Sequence, residues 1–279
     1  MEYIIIGKAN LTPLSHTILL DNYDSEQEVI QLSSSESTFS MKLYDEADII
    51  DKLGPYIKSI TIDITHLDIA IWAPVVRALI YAEVDFYVDY YSPDRYNCNT
   101  YQSLFGDVDA IELSTKISPI SGFANLNDDE DPFIFIPIVG FQGSRYQYIS
   151  NNLEPQQELT IPIVSLPERR IEYFRHTLLS NKATLLKDMS WRKIAHYGIN
   201  DCRNLAEFMF NLGQKNPDKR IKIALIGPRL QCLSAVICAS LYCDRFQLIY
   251  DHPMIISPEE KKIRSRKRIN VKEIVDAIR

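Results

Sequence analysis

The residue types best suited to chemistry in this sequence are the glycine, proline and arginine of Gly227-Pro228-Arg229. They follow a strand pattern, IKIALI at 221–226, and precede an apolar helix pattern at 230–242. Glycine lets the backbone approach a ligand closely, proline suits the start of a helix, and the arginine fork matches phosphate or carboxylate. Gly227 and Arg229 are therefore predicted to contact an anion, although Gly-Pro is also ordinary turn chemistry between a strand and a helix.

A second polar turn, containing Asp63, Thr65, His66 and Asp68, follows the strand pattern SITIDIT at 59–65. Thr65 and His66 are predicted to contact the same ligand, and Thr65 is also a suitable N-cap for the next helix. Asp63 and His66 are metal-binding residue types, but they straddle the strand end and the spacing fixes no third ligand. No metal site is predicted.

A third candidate is the segment GFQGSRYQY at 140–148, which has two glycines, one arginine and three aromatic residues. It predicts a loop that closes over a planar, negatively charged ligand, with Arg145 pairing with the charge. An interface loop is the alternative, because interfaces are enriched in the same residue types. Arg169 and Arg170 lie near the positive end of a predicted helix dipole, a further hint of a bound anion or an acidic partner.

Two strand–helix–strand patterns position these turns, one over 59–90 and the other over 221–250. The strands and helices are apolar throughout, which is typical of a parallel sheet covered by helices. The predicted fold is therefore α/β and Rossmann-like, a largely parallel sheet with two βαβ units and helices on both faces. We expect two closely packed halves, residues 1–125 and 126–279, with one unit in each.

Four further residues carry predictions about the layout. Asp45 and Asp201 are placed to cap helices, and Pro167 to begin a helix in its first turn. Pro137 lies in the apolar run FIFIPIVGF at 133–141. Because proline donates no ladder hydrogen bond, this run predicts an edge strand, or two short strands, in place of a central strand.

The charge of the chain is unevenly distributed. The formal net charge of the 279 residues is −7, yet KKIRSRKR at 261–268 has six basic residues and no acidic residue. We interpret this segment as a solvated arm, with contact to nucleic acid or to an acidic partner as the alternative. The residues for such a contact are Lys261, Lys262, Arg264, Arg266, Lys267 and Arg268.

The sequence argues against several classes of protein. Five cysteines without a CxxC pair argue against a disulfide framework or a zinc knuckle. The sequence lacks the roughly 18 uninterrupted apolar residues of a membrane span, and residues 1–7 do not read as a signal peptide. We therefore expect a cytoplasmic protein with reduced thiols and no membrane partner. GxxxxGK[ST], GxGxxG, GxSxG and HExxH motifs are also missing, and no cofactor is predicted.

The segments IDITH at 62–66 and IGPR at 226–229 each lead from a strand through a small polar turn into an apolar helix. In this layout the chain resembles the CRISPR-associated Rossmann-fold (CARF-like) domains and related nucleotide-sensing domains of bacterial defence proteins. Where that family tends to have a Gly-Thr-Lys turn, this chain has Gly227-Pro228-Arg229, which keeps a cation. His66 replaces the glycine expected after Thr65. The resemblance implies the sensing of a signalling nucleotide, often coupled to a separate effector domain.

Three functions remain open. The first is a ligand-sensing or regulatory protein of a bacterial antiviral defence system, with a cleft for a nucleotide or other anionic small molecule between Thr65, His66, Gly227 and Arg229. The second is an enzyme acting on a nucleotide or phosphate-bearing substrate, with His66 as acid or base and Arg229 stabilising charge. The third is a non-catalytic subunit of a complex, with a protein partner or a second copy of the chain.

Overall fold

The computed structural model describes residues 3–6, 17–24, 29–33, 38–94, 111–112, 117–124, 132–255 and 263–279. The chain divides into two compact units. Unit 1 comprises Met1–Pro93, Ile120–Gly122 and Ile263–Arg279, and unit 2 comprises Asp94–Pro119 and Phe123–Lys262. Residues 263–279, which the sequence assigned to a C-terminal half, therefore group with the N-terminal residues.

The regular elements follow in chain order. The described strands are β1 Tyr3–Ile6, β2 Thr17–Asp24, β3 Val29–Ser33, β4 Thr38–Lys42, β5 Ile60–Asp63, β6 Tyr87–Pro93, β7 Ile111–Glu112, β8 Ser118–Pro119, β9 Ile134–Val139, β10 Ile163–Leu166, β11 Ala195–Gly198, β12 Ile221–Leu225, β13 Phe246–Tyr250, β14 Met254–Ile255 and β15 Ile263–Asn270. The α-helices among the same residues are α1 Glu46–Leu53, α2 Ile69–Tyr81, α3 Gly143–Leu153, α4 Ile171–Ser180, α5 Lys182–Lys187, α6 Cys202–Lys215, α7 Arg229–Leu241 and α8 Val271–Ile278. Short 3₁₀ helices span Gly54–Ser59, Gln157–Leu159 and Ser190–Lys193.

Unit 1 is built on a seven-stranded mixed sheet in the order β15-β6-β5-β1-β2-β3-β4. The strands β2, β1, β5 and β6 run parallel, and β3, β4 and β15 are antiparallel to their neighbours. Helix α2 connects β5 to β6 and buries almost all of its residues, including Trp72. An apolar helix of this kind is stabilised by burial on several sides, which keeps the ends of β5 and β6 in fixed positions.

The basic segment belongs to this sheet, so the prediction of a solvated arm is wrong for its residues 263–268. They lie in β15, which pairs antiparallel with β6 along its length. The physical reason is a buried carboxylate, Asp89, in the middle of β6, which accepts hydrogen bonds from Arg266 and Arg268. The like charges of β15 are therefore partly neutralised by the sheet. Lys261 and Lys262 lie outside the described residues.

Unit 2 contains a six-stranded sheet in the order β11-β10-β9-β12-β13-β8, and only the short β8 runs antiparallel. The predicted α/β class and Rossmann-like character are confirmed by this mostly parallel sheet. Its core includes Phe135, Val164, Ala224 and Ile249, all nearly inaccessible to solvent. Strand β9, IFIPIV, is apolar and buried throughout, which is typical of strands in parallel sheets.

Strand β9 is central in this sheet, so the prediction of an edge strand from Pro137 is wrong. On the β10 side, β9 pairs first through Phe135 with Thr160 and next through Ile138 with Ile163. Pro137 and Pro162 fall in the gap between these two pairs, where neither residue has a backbone N–H to donate. The other side of β9 pairs continuously with β12. A proline is therefore accommodated at an interruption of one ladder.

Helix boundaries partly agree with the sequence. Asp45 and Asp201 accept hydrogen bonds from the first backbone amides of α1 and α6, as predicted. The predicted loop at 140–148 is wrong beyond Gln142, because α3 begins at Gly143, and the predicted helix start at Pro167 is wrong, because α4 begins at Ile171. Among the described helices, none combines the length and apolarity needed to cross a membrane.

Candidate ligand-binding site

The strand order of unit 2 reverses between β9 and β12. From β9 the chain proceeds to β10 and β11 on one side, and it then returns to form β12 and β13 on the other side. In open parallel sheets, ligands bind beyond the carboxyl ends of the strands at such a point, because the two following loops diverge there. Three of the predicted ligand residues follow these two strands: Arg145 in the helix after β9, Gly227 in the loop after β12, and Arg229 at the start of the next helix.

Two glycines bring these loops into contact. A Cβ atom on Gly140 would lie 2.7 Å from the carbonyl oxygen of Ile226, and one on Gly227 would lie 2.7 Å from the carbonyl oxygen of Ile138. Any larger residue would push the backbones apart, so close approach is the reason for glycine at both positions. The side chain of Asn181 donates to the carbonyl of Gly140 at 2.7 Å and fixes the first loop.

Arg145 lies in the first turn of α3 and is almost fully buried. Its Nε donates to Oδ2 of Asp251 at 2.7 Å, and its Nη2 donates to Oδ1 at 2.5 Å. Nη1 donates to the side chain of Gln142 at 3.1 Å. Burial alone would lower the pKa of Arg145, but the hydrogen bond and charge of Asp251 raise it above its ordinary value. The guanidinium is thus charged and held in one orientation beside a planar neighbour, Tyr250.

Arg229 is the first residue of α7, as expected from the sequence, and its side chain is half-buried. Pro228 occupies the N-cap position without a side-chain hydrogen bond, and its carbonyl accepts from the amides of Gln231 and Cys232. Burial raises the pKa of the Cys232 thiol to about 12, against the opposing charges of Arg145 and Arg229. Both cations therefore act on the same thiol, which lies in the first turn of α7.

Gln231 anchors the start of α7 to the neighbouring strands. Its side-chain oxygen accepts from Ser165 at 2.6 Å, and its amide donates to the carbonyls of Tyr197 and Gly198 at 3.2 and 3.3 Å. Since Gln231 is fully buried, these hydrogen bonds satisfy a polar group that would otherwise destabilise the core. The helix start is therefore rigidly placed relative to the ends of β10 and β11.

The other two predicted residues, Thr65 and His66, belong to unit 1. Thr65 accepts a hydrogen bond from the amide of Tyr91, and its own amide donates to Asp63 at 2.8 Å. The prediction that Thr65 caps the next helix is wrong, because Asp68 accepts from the amide of Ala70 at that position. His66 is exposed in the same turn. Their contact with a ligand stays a prediction.

A buried carboxylate pair lies beside this turn. Asp63 and Asp89 are register partners on β5 and β6, and both are almost inaccessible to solvent. Burial raises the pKa of Asp63, and the charge of Asp89 adds to the effect, while hydrogen bonds from Thr65 oppose it. Arg266 and Arg268 supply the compensating charge on Asp89, and their guanidinium groups lie over the rings of Tyr91 and Tyr87. This arrangement has the features of a structural charge cluster.

A serine and a histidine are hydrogen-bonded at the end of β13. Oγ of Ser118 lies 2.9 Å from Nε2 of His252, and the histidine ring packs edge-on against Tyr250. Both residues are half-buried, and His252 has a left-handed backbone with φ of 43°. A hydroxyl within this distance of a histidine nitrogen is the geometry of a nucleophile and its base.

Two surface clefts lie elsewhere. One, of about 460 Å³, is lined in unit 1 by Tyr44, Tyr81 and the ion pair between Glu46 and Arg77. The other, of about 580 Å³, is lined in unit 2 by residues that include Ser150, Lys187 and Asp188. Within the described ranges, no group of three or more histidine, cysteine, aspartate or glutamate side chains is arranged to hold a metal ion.

Sequence reasoning missed Asp251, Gln142 and Asn181. Asp251 follows the apolar strand FQLIY directly, and an acidic residue at a strand's carboxyl end was the available signal.

Fold and site together define a Rossmann-like α/β protein with an arginine-containing edge at its strand-order reversal. The chain matches no protein-family model and no curated protein sequence.

Proposed function

We propose that the protein is a ligand-sensing or regulatory protein that binds a nucleotide or other anionic small molecule at the carboxyl edge of the sheet in unit 2. The observation that carries the proposal is the reversal of strand order between β9 and β12. Support comes from the residues at that edge, since Gly227 allows close backbone approach and Arg229 begins a helix whose dipole favours an anion.

Several finer features belong to the same proposal. The segments β5–α2–β6 and β12–α7–β13 form two βαβ units, with helices covering both faces of each sheet. The nucleotide is a signalling molecule of a bacterial defence system, in line with the resemblance to CARF-like domains. Arg145 neutralises part of the ligand's negative charge. A protein partner or a second copy of the chain receives the signal.

A nucleotide panel tests the binding proposal. Mono-, di-, tri- and cyclic nucleotides are added at low ionic strength, and the melting temperature of the full chain is followed, because a ligand of the folded state raises it. Arg229→Ala should weaken binding by about 10- to 100-fold, the value of one charge-assisted contact, and Arg229→Lys should restore part of it. The absence of any shift across the panel would contradict the proposal.

Arg220→Ala provides the matched control. Arg220 directly precedes β12, so it lies at the amino end of the strand whose carboxyl end leads to Arg229. Its removal changes the net charge by the same amount in the same unit. Equal losses of affinity in Arg220→Ala and Arg229→Ala would indicate a general charge effect instead of a specific contact.

An enzyme acting on a nucleotide or phosphate-bearing substrate is the second candidate. The 2.9 Å hydrogen bond between Ser118 and His252, beside the strained backbone of His252, favours it. Product formation in the same incubations distinguishes the two candidates, because a sensor shows a melting shift without turnover. Turnover that is abolished by Ser118→Ala, with binding retained, would establish the enzyme.

A further inference from the structure

Arg145 and Asp251 form an ion pair at the carboxyl edge of the sheet in unit 2, the edge at which the ligand is proposed to bind. Asp251 is fully buried and accepts from two nitrogens of one guanidinium, which is the two-bond geometry by which arginine also recognises phosphate. Asp251 follows β13, and Arg145 lies on the helix after β9, so the pair spans both sides of the strand-order reversal. An internal carboxylate thus satisfies the arginine.

We infer that Asp251 is a built-in substitute for the ligand's phosphate, which displaces it and pairs with Arg145. This inference rests on the proposed function and names both the ligand's chemistry and the residue that receives it. A carboxylate ligand would gain nothing over Asp251, which has the advantage of being tethered. A phosphate monoester carries a charge of about −1.5 to −2 and can also interact with Arg229 and the amides at the start of α7.

The backbone after Asp251 provides a second, independent observation. His252 has a φ of 43°, a conformation that residues other than glycine rarely adopt, and it directly precedes Pro253. A residue before proline favours an extended backbone, so His252 is held against two preferences at once. Release of Asp251 would let His252 return to an extended conformation. On this inference, phosphate on Arg145 favours a second, extended arrangement of the segment 251–253.

Titration with inorganic phosphate tests the inference. Isothermal calorimetry in a low-salt buffer compares the full-length protein with Asp251→Asn, which keeps the shape of the side chain but removes its charge. We expect Asp251→Asn to bind phosphate at least about tenfold more tightly, the value of one charge-assisted contact. The gain should disappear in Asp251→Asn/Arg145→Gln, because the receiving arginine is then missing.

Asp218→Asn is the matched control, because Asp218 is an exposed carboxylate of the same unit and pairs with the adjacent Lys219. An equal gain in Asp218→Asn, or a gain that persists without Arg145, overturns the inference. If Asp251→Asn does not fold, hydrogen exchange on the unsubstituted protein decides. Phosphate should then accelerate exchange in the peptide that contains His252, and unchanged or slower exchange overturns the inference.

The outcomes separate this inference from the proposed function. Nucleotide binding that is equally strong with and without the Asp251 charge would leave the function standing and remove the inference. Tighter phosphate binding by Asp251→Asn without nucleotide binding by any variant would support the inference and remove the nucleotide from the proposed function, leaving another phosphate-bearing molecule as the ligand. If phosphate and nucleotides affect none of the variants, both fail.

Discussion

The two arginines on Asp89 lead to a prediction about stability that can be worked out from the structure. Asp89 is only 1% exposed, while the side chains of Arg266 and Arg268 are 40% and 33% exposed. Nε of each arginine donates to the carboxylate, at 2.9 and 3.0 Å. Replacing either arginine by methionine keeps most of the side-chain volume and removes one of two cations from a buried anion.

The expected costs are not additive. Each single substitution should lower the free energy of unfolding by about 1 kcal/mol, because half-exposed ion pairs contribute little and the second guanidinium remains. Arg266→Met/Arg268→Met should lower the free energy of unfolding by about 3–4 kcal/mol. The double substitution removes both cations from the buried carboxylate of Asp89, which also lies next to Asp63. The excess over the sum, about 1–2 kcal/mol, measures the coupling through Asp89.

Urea unfolding monitored by Trp72 fluorescence measures these values in unit 1. The chain has two tryptophans, so a Trp191→Phe background leaves the buried Trp72 as the reporter. Arg279→Met is the control, because Arg279 forms an exposed ion pair with Glu83 in the same unit, and its loss should cost at most about 0.5 kcal/mol. A double substitution that costs no more than the two singles combined would refute the argument.

Three further predictions concern other residues. Since burial raises the pKa of Asp63, the folded protein binds this proton more tightly than the unfolded chain, and the stability from this group falls as the pH rises above about 3.8. Asp63→Asn should therefore raise the urea midpoint at neutral pH and lose this advantage in acid. Gly227→Ala should destabilise unit 2 by about 1–3 kcal/mol in urea unfolding, because its Cβ meets the backbone of Ile138, whereas Gly54→Ala has open space and should be neutral or stabilising in unit 1. Burial raises the pKa of Cys202, Cys232 and Cys238 to about 12, so in a Cys98→Ser background an aromatic disulfide reagent should modify the exposed Cys243 quickly and these three only after unfolding. Fast modification of more than one thiol in the folded protein would contradict the burial of these three cysteines.

The sequence predicted elements whose pattern is local. Helix α2 and strand β13 have the predicted bounds, because an uninterrupted apolar run between turn residues leaves few alternatives. Asp45 and Asp201 cap their helices as expected, since capping depends on neighbours two or three residues away. For the candidate site, Arg229 at the first position of α7 follows from the same local reasoning.

The errors arose where a distant partner decides the structure. Pro137 is tolerated in a central strand because Pro162 shares its register position, which no local pattern reveals. The basic run around Arg266 forms a strand because Asp89, far away in sequence, accepts from it. The pairing of Arg145 with Asp251 joins residues after two separate strands for the same reason. Long-range charge and register are therefore the information that a single sequence does not display.

Unit 1 combines residues from the beginning of the given sequence with residues 263–279, which affects the order in which the unit can fold during synthesis. Ribosomes synthesise residues 94–262 before β15, so the carboxylate of Asp89 remains without Arg266 and Arg268 until the last part of the described chain emerges. During this interval β6 is an unprotected edge with open backbone hydrogen-bonding groups. Because non-local pairs form slowly, nascent unit 1 should depend on chaperones more than unit 2, and it can be completed only after residues 263–279 have been synthesised.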